Sequence, residues 1–345
     1  MQPMSRRPLL AVAVAAAALA LPSSAIADDA VAVAAPATPS ADPSVAEPPE
    51  AADASAAPVR SRVKIRLGHL HKGRVRIYRS VRVIGSLTPF RPDQKVKVTY
   101  YLNTQKLRSK TVRVHRGKGN YGVFDSKLIV RKAGKYAASA RHAPSAELSG
   151  DRTVRKSWKV SFPSLGRGQC GKVVKGFRKG LTRLGYEPAG GRCFNSKMAR
   201  GVLAFRKVNN MSRNMHAGKR IVRMVFGGRG GYRVRYPRAG EHVEASLGKQ
   251  VIVFADGDKV EAIYPISSGK PSTPTVQGHF NFYSTQPGYN SHGMYYSFYF
   301  VGGYAIHGYY SVPNYPASHG CLRTFISDQP EIYNRIFYGE DIFVF

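Results

Sequence analysis

Two hydrophobic rhythms share this chain, and the switch between them limits the folds open to it. Lys95-Val96-Lys97-Val98-Thr99-Tyr100 alternates polar and apolar residues, as does Thr111-Val112-Arg113-Val114. Successive strand side chains point to opposite faces, so this pattern means strands with one wet and one buried face. Turn clusters such as Gly117-Lys118-Gly119-Asn120 separate the runs. The rhythm predicts an antiparallel β-sandwich over residues 59–163. Its single tryptophan, Trp158, is expected in the core.

From Cys170 to about Tyr232 the period becomes helical. Val173, Phe177, Leu181 and Leu184 share one face of a helix that Gly185 ends. Asn195 or Ser196 caps a second helix, with Met198, Val202 and Phe205 inward. Ile221 to Phe226 gives a third, stopped by Gly227-Gly228. A small three-helix module is therefore expected over 168–232. Strand rhythm returns in 240–345. Gln250 to Phe254 predicts a strand, Asp256-Gly257 a hairpin turn, and Lys259 to Ile266 the returning strand. Phe280 to Ser284, Ser297 to Phe300 and Asp341 to Phe345 predict further strands. Ser327 or Asp328 caps a short helix carrying Ile332 and Ile336, ended near Gly339. The fold class is mainly β and multi-domain.

The first 27 residues read as an export signal. Arg6 and Arg7 precede an apolar run from Leu9 to Leu21, then Ala25-Ile26-Ala27 offers a cleavage site. The run is short for a membrane span, although an uncleaved anchor is the alternative. Ser5-Arg6-Arg7-Pro8-Leu9-Leu10 partly resembles a twin-arginine signal; ordinary Sec export fits better with a disulfide formed outside the cell. No cysteine follows the run, which argues against a lipoprotein anchor. Residues 28–58 are rich in Ala, Pro, Ser and acids, with no aromatic residue and no Lys or Arg. Such a segment cannot bury enough apolar area to offset its ordering entropy, so a disordered tether is expected.

Lys+Arg minus Asp+Glu is 53 − 20 = +33. That balance implies an anionic partner. Nucleic acid is one candidate, yet no zinc finger or RNP motif accompanies the charge and the cations are not gathered in one arm. For an exported protein, anionic cell-wall polymers or phospholipid heads suit better. The cysteines lie far apart and no histidines sit at i, i+4, so no metal and no cofactor are expected. Cys170 and Cys193 bracket the first helix of the small module. A bridge there closes a loop of about 24 residues and contributes on the order of 3 kcal/mol. That leaves Cys321 unpaired, although pairing of Cys321 with either partner is the alternative. An odd thiol in an oxidising compartment makes sense if it is used.

Cys321 sits in Ser318-His319-Gly320-Cys321-Leu322-Arg323, with Ala305-Ile306-His307-Gly308 upstream. A cysteine attacks as its thiolate and needs a base or a positive environment. His307 can be the base. Gly320 lets backbone amides approach a developing oxyanion. Ser291-His292-Gly293-Met294 imitates the motif with Met in place of the thiol, and reads as a loop.

This pattern resembles the signature of the L,D-transpeptidases, the YkuD-type catalytic domain. The resemblance implies a mostly antiparallel β-sandwich-like catalytic unit over 240–345, with the Cys loop beside a groove. Ser267-Ser268-Gly269, Thr273-Pro274 and Gly278-His279-Phe280 follow the family's succession, with Thr275-Val276-Gln277 intervening. The implied chemistry is cysteine acyl transfer from a peptidoglycan tetrapeptide stem, with release of D-Ala and a 3-3 cross-link. Cys321 is the implied nucleophile, His307 its base and Gly308 the orienting carbonyl. Gly320, Cys321 and His319 would hold the oxyanion, while Ser318 and Arg323 fix the loop. Tyr295, Tyr296, Tyr304 and Arg323 are expected to line the substrate path. The implied partners are stem peptides and glycan. Leu184-Gly185-Tyr186, Gly191, Phe194 and Ala204-Phe205 resemble a small peptidoglycan-binding module, with Arg206 where that family commonly has Gln. Residues 59–163 resemble bacterial Ig-like wall modules in rhythm. Hydrolysis at the same site would make an L,D-carboxypeptidase. A non-catalytic wall-binding protein, a polyanion binder and a cysteine protease are the remaining classes.

Overall fold

The computed structural model describes residues 57–187 and 190–345. The export signal and nearly all of the tether lie outside them. Two sheets form first. One runs β1 (Arg62–Gly68), β3 (Ser80–Thr88), β7 (Gly122–Ile129), β6 (His115–Arg116). The other runs β2 (Arg74–Arg76), β10 (Lys156–Ser161), β8 (Lys135–His142), β4 (Lys95–Leu102), β5 (Gln105–Arg113), with β9 (Asp151–Arg152) on β8. Val81, Val83 and Leu87 of one sheet share a core with Val96, Val98 and Trp158 of the other. The alternation in the sequence is this burial pattern, buried and exposed in turn along β7.

Three helices follow: α1 (Lys172–Thr182), α2 (Ser196–Val208) and α3 (Lys219–Phe226). The buried face of α1 is Val174, Phe177 and Leu181. Val173 and Leu184, expected inward, are only half-buried. Gly180 sits so close to α3 that a Cβ there would meet Val225 Cγ1 at 2.5 Å. Cys170 and Cys193 form the disulfide across α1. Asn195 caps α2, its Oδ1 accepting the Met198 N–H at 2.9 Å.

Helix α2 departs most from expectation. One inward face was predicted, yet every residue from Met198 to Val208 is buried. It lies between the other helices and the next sheet, so its charges need internal partners. Arg200 grips Asp328 through two contacts of 2.5 Å. Arg206 donates to the carbonyls of Ser212 and His216, closing the loop after α2. Lys207 donates to the Ile266 carbonyl at 2.7 Å, and burial pulls its amine down to about 7.

The C-terminal part holds two further sheets. One runs β13 (Lys259–Pro265), β12 (Val251–Asp256), β11 (Glu241–Ser246), β19 (Asp341–Val344), β14 (Gly278–Asn281). The other runs β15 (Ser284–Tyr289), β16 (Tyr295–Val301), β17 (Tyr304–Tyr309), β18 (Leu322–Phe325). Pairing is mostly antiparallel, but β11–β19 and β17–β18 are parallel. Strand β12 is apolar from Val251 to Ala255 because both faces are covered there. Val251 and Val253 join the core shared with the helices, and Ile252 and Phe254 join the core between the two sheets.

The strand expected over Phe280–Ser284 is the end of β14 and the start of β15, in different sheets. The chain crosses at Phe282, whose fully buried ring fills the inter-sheet core. The last helix, α4 (Gln329–Tyr333), is one short turn and a half. Asp328 precedes it but makes no side-chain cap, because its carboxylate is committed to Arg200. Among the described residues no helix is long and apolar enough to cross a membrane.

Removing one member of a buried ion pair strands the other charge. Asp328→Ala is expected to cost about 3–5 kcal/mol of unfolding free energy in denaturant melts. The pair Arg200→Met with Asp328→Leu should recover most of that loss. A single-variant cost under about 1 kcal/mol would show that water reaches Arg200.

Candidate active site

The site stands where β17 and β18 run parallel. Ile306 is paired with Leu322 and His307 with Arg323, so Cys321, one residue before β18, comes level with Ala305. Side chains two apart share a face. Cys321, Arg323, His307 and Tyr309 therefore project on one side. Ile306, Gly308, Leu322 and Thr324 project on the other, toward the core and α4. The diagonal from Cys321 to His307 is roughly 8 Å between Cα atoms by ordinary strand spacing; the thiol and the imidazole are not hydrogen-bonded to each other, each facing a backbone carbonyl instead.

His307 is 2% exposed. Its Nδ1 lies 3.0 Å from the Gly308 carbonyl. A carbonyl only accepts, so Nδ1 carries the proton and Nε2 keeps its lone pair. Burial, reinforced by Arg323, pulls the imidazole down to about 4. At neutral pH it is thus an uncharged base. Burial also pushes the Cys321 thiol up, opposed by a hydrogen bond from the Ala305 backbone and by the Arg323 charge. The thiol remains half-exposed and lies 3.8 Å from the Gly303 carbonyl.

The loop that presents Cys321 is held from three sides. The Ser318 hydroxyl donates to the Cys321 carbonyl at 2.6 Å and accepts the Gly320 N–H at 3.1 Å. Ser267 exchanges both backbone hydrogen bonds with Arg323, and the Ser268 carbonyl accepts from Ala317 and Ser318. Thr273 Oγ1 and the Lys270 N–H both donate to the Ser318 carbonyl. Gln250, fully buried, in turn holds Ser268 by its backbone N–H and its hydroxyl. The Ser-x-Gly and Thr-Pro segments noted in the sequence are therefore the clamp of the cysteine loop. Gly320 has φ +116°, and a Cβ there would meet the Tyr304 ring at 1.8 Å.

The other expected residues are placed as follows. His319 is exposed, with Nε2 3.3 Å from Lys270 Nζ. Arg323 stacks over Tyr309, its guanidinium 4.2 Å from the ring centre. Tyr309 in turn meets His307 edge-on at 5.6 Å. Tyr304 fills the space over Gly320. Tyr295 is paired with Gly308. Tyr296 turns away at φ +50° and packs on Tyr333 at the end of α4. The imitation motif Ser291-His292-Gly293-Met294 is the loop between β15 and β16. Among the described residues no group of histidine, cysteine or carboxylates could hold a metal.

Sequence reasoning missed a buried polar network behind His307. Thr324 Oγ1 lies 3.1 Å from the His307 carbonyl and also contacts Gln329 Oε1. Gln329 Nε2 donates to the Tyr296 carbonyl at 2.6 Å. Gly308 admits this packing, since a Cβ there would lie 3.0 Å from Gln329 Cβ and 3.2 Å from Ile326 Cα. The only signal in the sequence was a polar Thr at an inward position of a strand.

Residues 240–344 match the family model described as YkuD: L,D-transpeptidase catalytic domain. Among solved structures, the chain is similar to an L,D-transpeptidase from Xylanimonas cellulosilytica DSM 15894. Identity is 26%, over 53% of this chain and 98% of that one, with a TM-score of 0.49. It is also similar to an L,D-transpeptidase (Yku) from Stackebrandtia nassauensis, at 18% identity over 52% and 94% of the two chains, TM-score 0.33. The catalytic domain of the Enterococcus faecium L,D-transpeptidase matches at 25% identity over 30% and 96%, TM-score 0.27. No curated protein matches the chain.

The electrostatics set a pH test. A raised thiol beside a neutral imidazole is protonated at rest, so no thiolate–imidazolium pair stands ready. Alkylation of Cys321 by iodoacetamide should be slow at neutral pH and still climbing near pH 9. A rate already flat between about pH 5 and 8 would reveal a preformed ion pair instead.

Proposed function

We propose that this chain is an exported cysteine acyltransferase, an L,D-transpeptidase of peptidoglycan. One observation carries the reading. A histidine fixed by a backbone carbonyl shares a strand face with the sole free thiol among the described residues, inside the segment that matches the L,D-transpeptidase model.

In this reading Cys321 Sγ attacks the carbonyl of the third stem residue while its proton passes to His307 Nε2. The tetrahedral oxyanion collapses, the amide bond breaks, and His307 returns the proton to the departing D-Ala amine. A thioester on Cys321 remains. An amine from a neighbouring stem then attacks that thioester, losing a proton to His307, and a 3-3 cross-link forms with the thiol restored. Water in place of the amine gives carboxypeptidase action. The Gly308 carbonyl does the orienting work a carboxylate does in other triads.

The sequence alone suggested Gly320 N–H as an oxyanion donor. That N–H is spent on the Ser318 hydroxyl, so we assign the oxyanion to the N–H groups of Cys321 and His319. Removing one such donor typically costs about 3 kcal/mol of transition-state stabilisation. Arg323 is assigned a double role: it biases the thiol toward thiolate and can meet a stem carboxylate. The groove-lining role expected of the tyrosines is kept for Tyr304, which covers Gly320, and for Tyr309, whose ring meets His307. The upstream sandwich is assigned the role of spacer, and the helices that of scaffold under the catalytic sheets. The location is extracytoplasmic, where the substrate polymer lies.

Incubation with a disaccharide-tetrapeptide stem should add an acyl group to Cys321, seen in the intact mass, and release D-Ala. Cys321→Ala should show neither. His307→Gln should slow adduct formation by at least about a hundredfold. Accumulating cross-linked dimer marks the transferase, and D-Ala release without dimer marks the carboxypeptidase. No adduct from folded, reduced protein would sink the enzyme reading.

A further inference from the structure

A cleft of about 980 Å³ lies between the upstream sandwich and the helices, and no residue of 240–345 lines it. Its rim carries Arg131 and Lys132, from the turn between β7 and β8, and Lys179 and Arg183, from the end of α1. All four are exposed. Gly176 and Gly180 of α1 line it where neighbouring side chains pack closely onto the helix. A Cβ on Gly176 would meet Tyr78 Oη at 2.1 Å. A second groove, of about 620 Å³, shares Arg131 and Lys132 and adds Arg108 and Lys127. The two grooves thus meet at Arg131 and Lys132, and six cations line them together.

No carboxylate lines either groove. None of the six cations forms an ion pair among the described residues. Asp125, the acid that feels Lys127, is already paired to Arg82 at 3.0 Å. Like charges gathered in a concavity repel one another unless a partner neutralises them. A small anion would occupy one groove, whereas a continuous double groove suits a chain. The exposed apolar residues of the second groove, Leu107 and Ile129, are aliphatic, and the rings lining the two grooves, Tyr78, Tyr136 and Phe226, are half-buried or buried, so no exposed ring face is offered for base stacking. A concave wall is also the wrong shape for a lipid surface.

We propose that the joined grooves bind a linear carbohydrate polyanion, whose carboxylates or phosphodiesters pair with these six side chains. The inference goes beyond the acyl-transfer reading and does not rest on it. Its effect would be to hold the protein along an anionic polymer while the distant thiol works.

The test uses the whole protein and fluorescence anisotropy with labelled polygalacturonate, poly(glycerol phosphate) and oligo-dT. One variant carries Arg131→Ser, Lys132→Ser, Lys179→Ser and Arg183→Ser. A control of equal charge carries Arg60→Ser, Arg62→Ser, Lys64→Ser and Arg66→Ser. The groove variant should bind the carbohydrate polyanions at least about tenfold more weakly, with a salt slope reduced by about three; the control should change less than about threefold. Preference between the carboxylate and the phosphodiester polymer names the source. Equal losses in both variants would overturn the proposal, as would oligo-dT binding as tightly with the same dependence on the four residues. Lys179→Glu with Arg183→Glu provides a second, smaller lesion if the quadruple variant melts early. Acylation of Cys321 by a soluble stem should be unchanged in these variants, which separates failure here from failure of the enzyme reading.

Discussion

One hydrogen bond, from His307 Nδ1 to the Gly308 carbonyl, decides what the site can do. It selects the tautomer, leaves Nε2 with its lone pair, and does so without a buried carboxylate. The rest of the structure keeps that carbonyl in place. Gly308 packs on Gln329 and Ile326. Gln329 is held by the Tyr296 carbonyl and by Thr324, which also reaches the His307 carbonyl. Gln329 opens α4, and Asp328 just before it is locked to Arg200 of α2. A line of close contacts thus runs from the imidazole to a helix more than 100 residues earlier in the chain. Parts that look separate in the sequence are coupled through α4.

The same economy governs the charges. An imidazole partnered by a backbone carbonyl and no carboxylate gains too little to offset desolvation, so it stays neutral. A thiol in the same sheet face is likewise held protonated, with Arg323 as the one nearby cation favouring its ionisation. The proton therefore moves during attack, not before it. A resting thiol is also less open to oxidation than a thiolate. That property suits a cysteine left unpaired in a chain whose other two are bridged.

Much of this was legible in the sequence. The strand rhythm of β4 and β5, the three helices, the hairpin at Asp256-Gly257 and the Cys170–Cys193 bridge are local matters of period, turn chemistry and pairing. The cysteine loop and its histidine stood out because several reactive residue types fell within one short stretch. What escaped depended on tertiary surroundings. Helix α2 has an amphipathic pattern, yet it is buried all round because Arg200, Arg206 and Lys207 find partners that only the fold supplies. The break at Phe282 is invisible because both halves of the run favour extended backbone. Tyr296 seemed to line the groove by position, but one left-handed residue turned it toward α4. Thr324 and Gln329 carry no motif at all.

Strand β12 deserves a last consequence. Its two faces belong to two different cores, one of them built largely from the helices and the upstream sandwich. The Tyr186 hydroxyl reaches across to Gly230, and Glu244 of β11 holds Tyr232, Arg235 and Tyr236 of the connecting segment. A cut at residue 240 would look clean on a sequence map and would strip one face of β12, in the five-stranded sheet that packs against the sheet carrying the site. The boundary that the motif suggests is therefore not a boundary of packing: a chain begun at residue 240 would keep Ile252 and Phe254 between its two sheets and leave Val251 and Val253 bare.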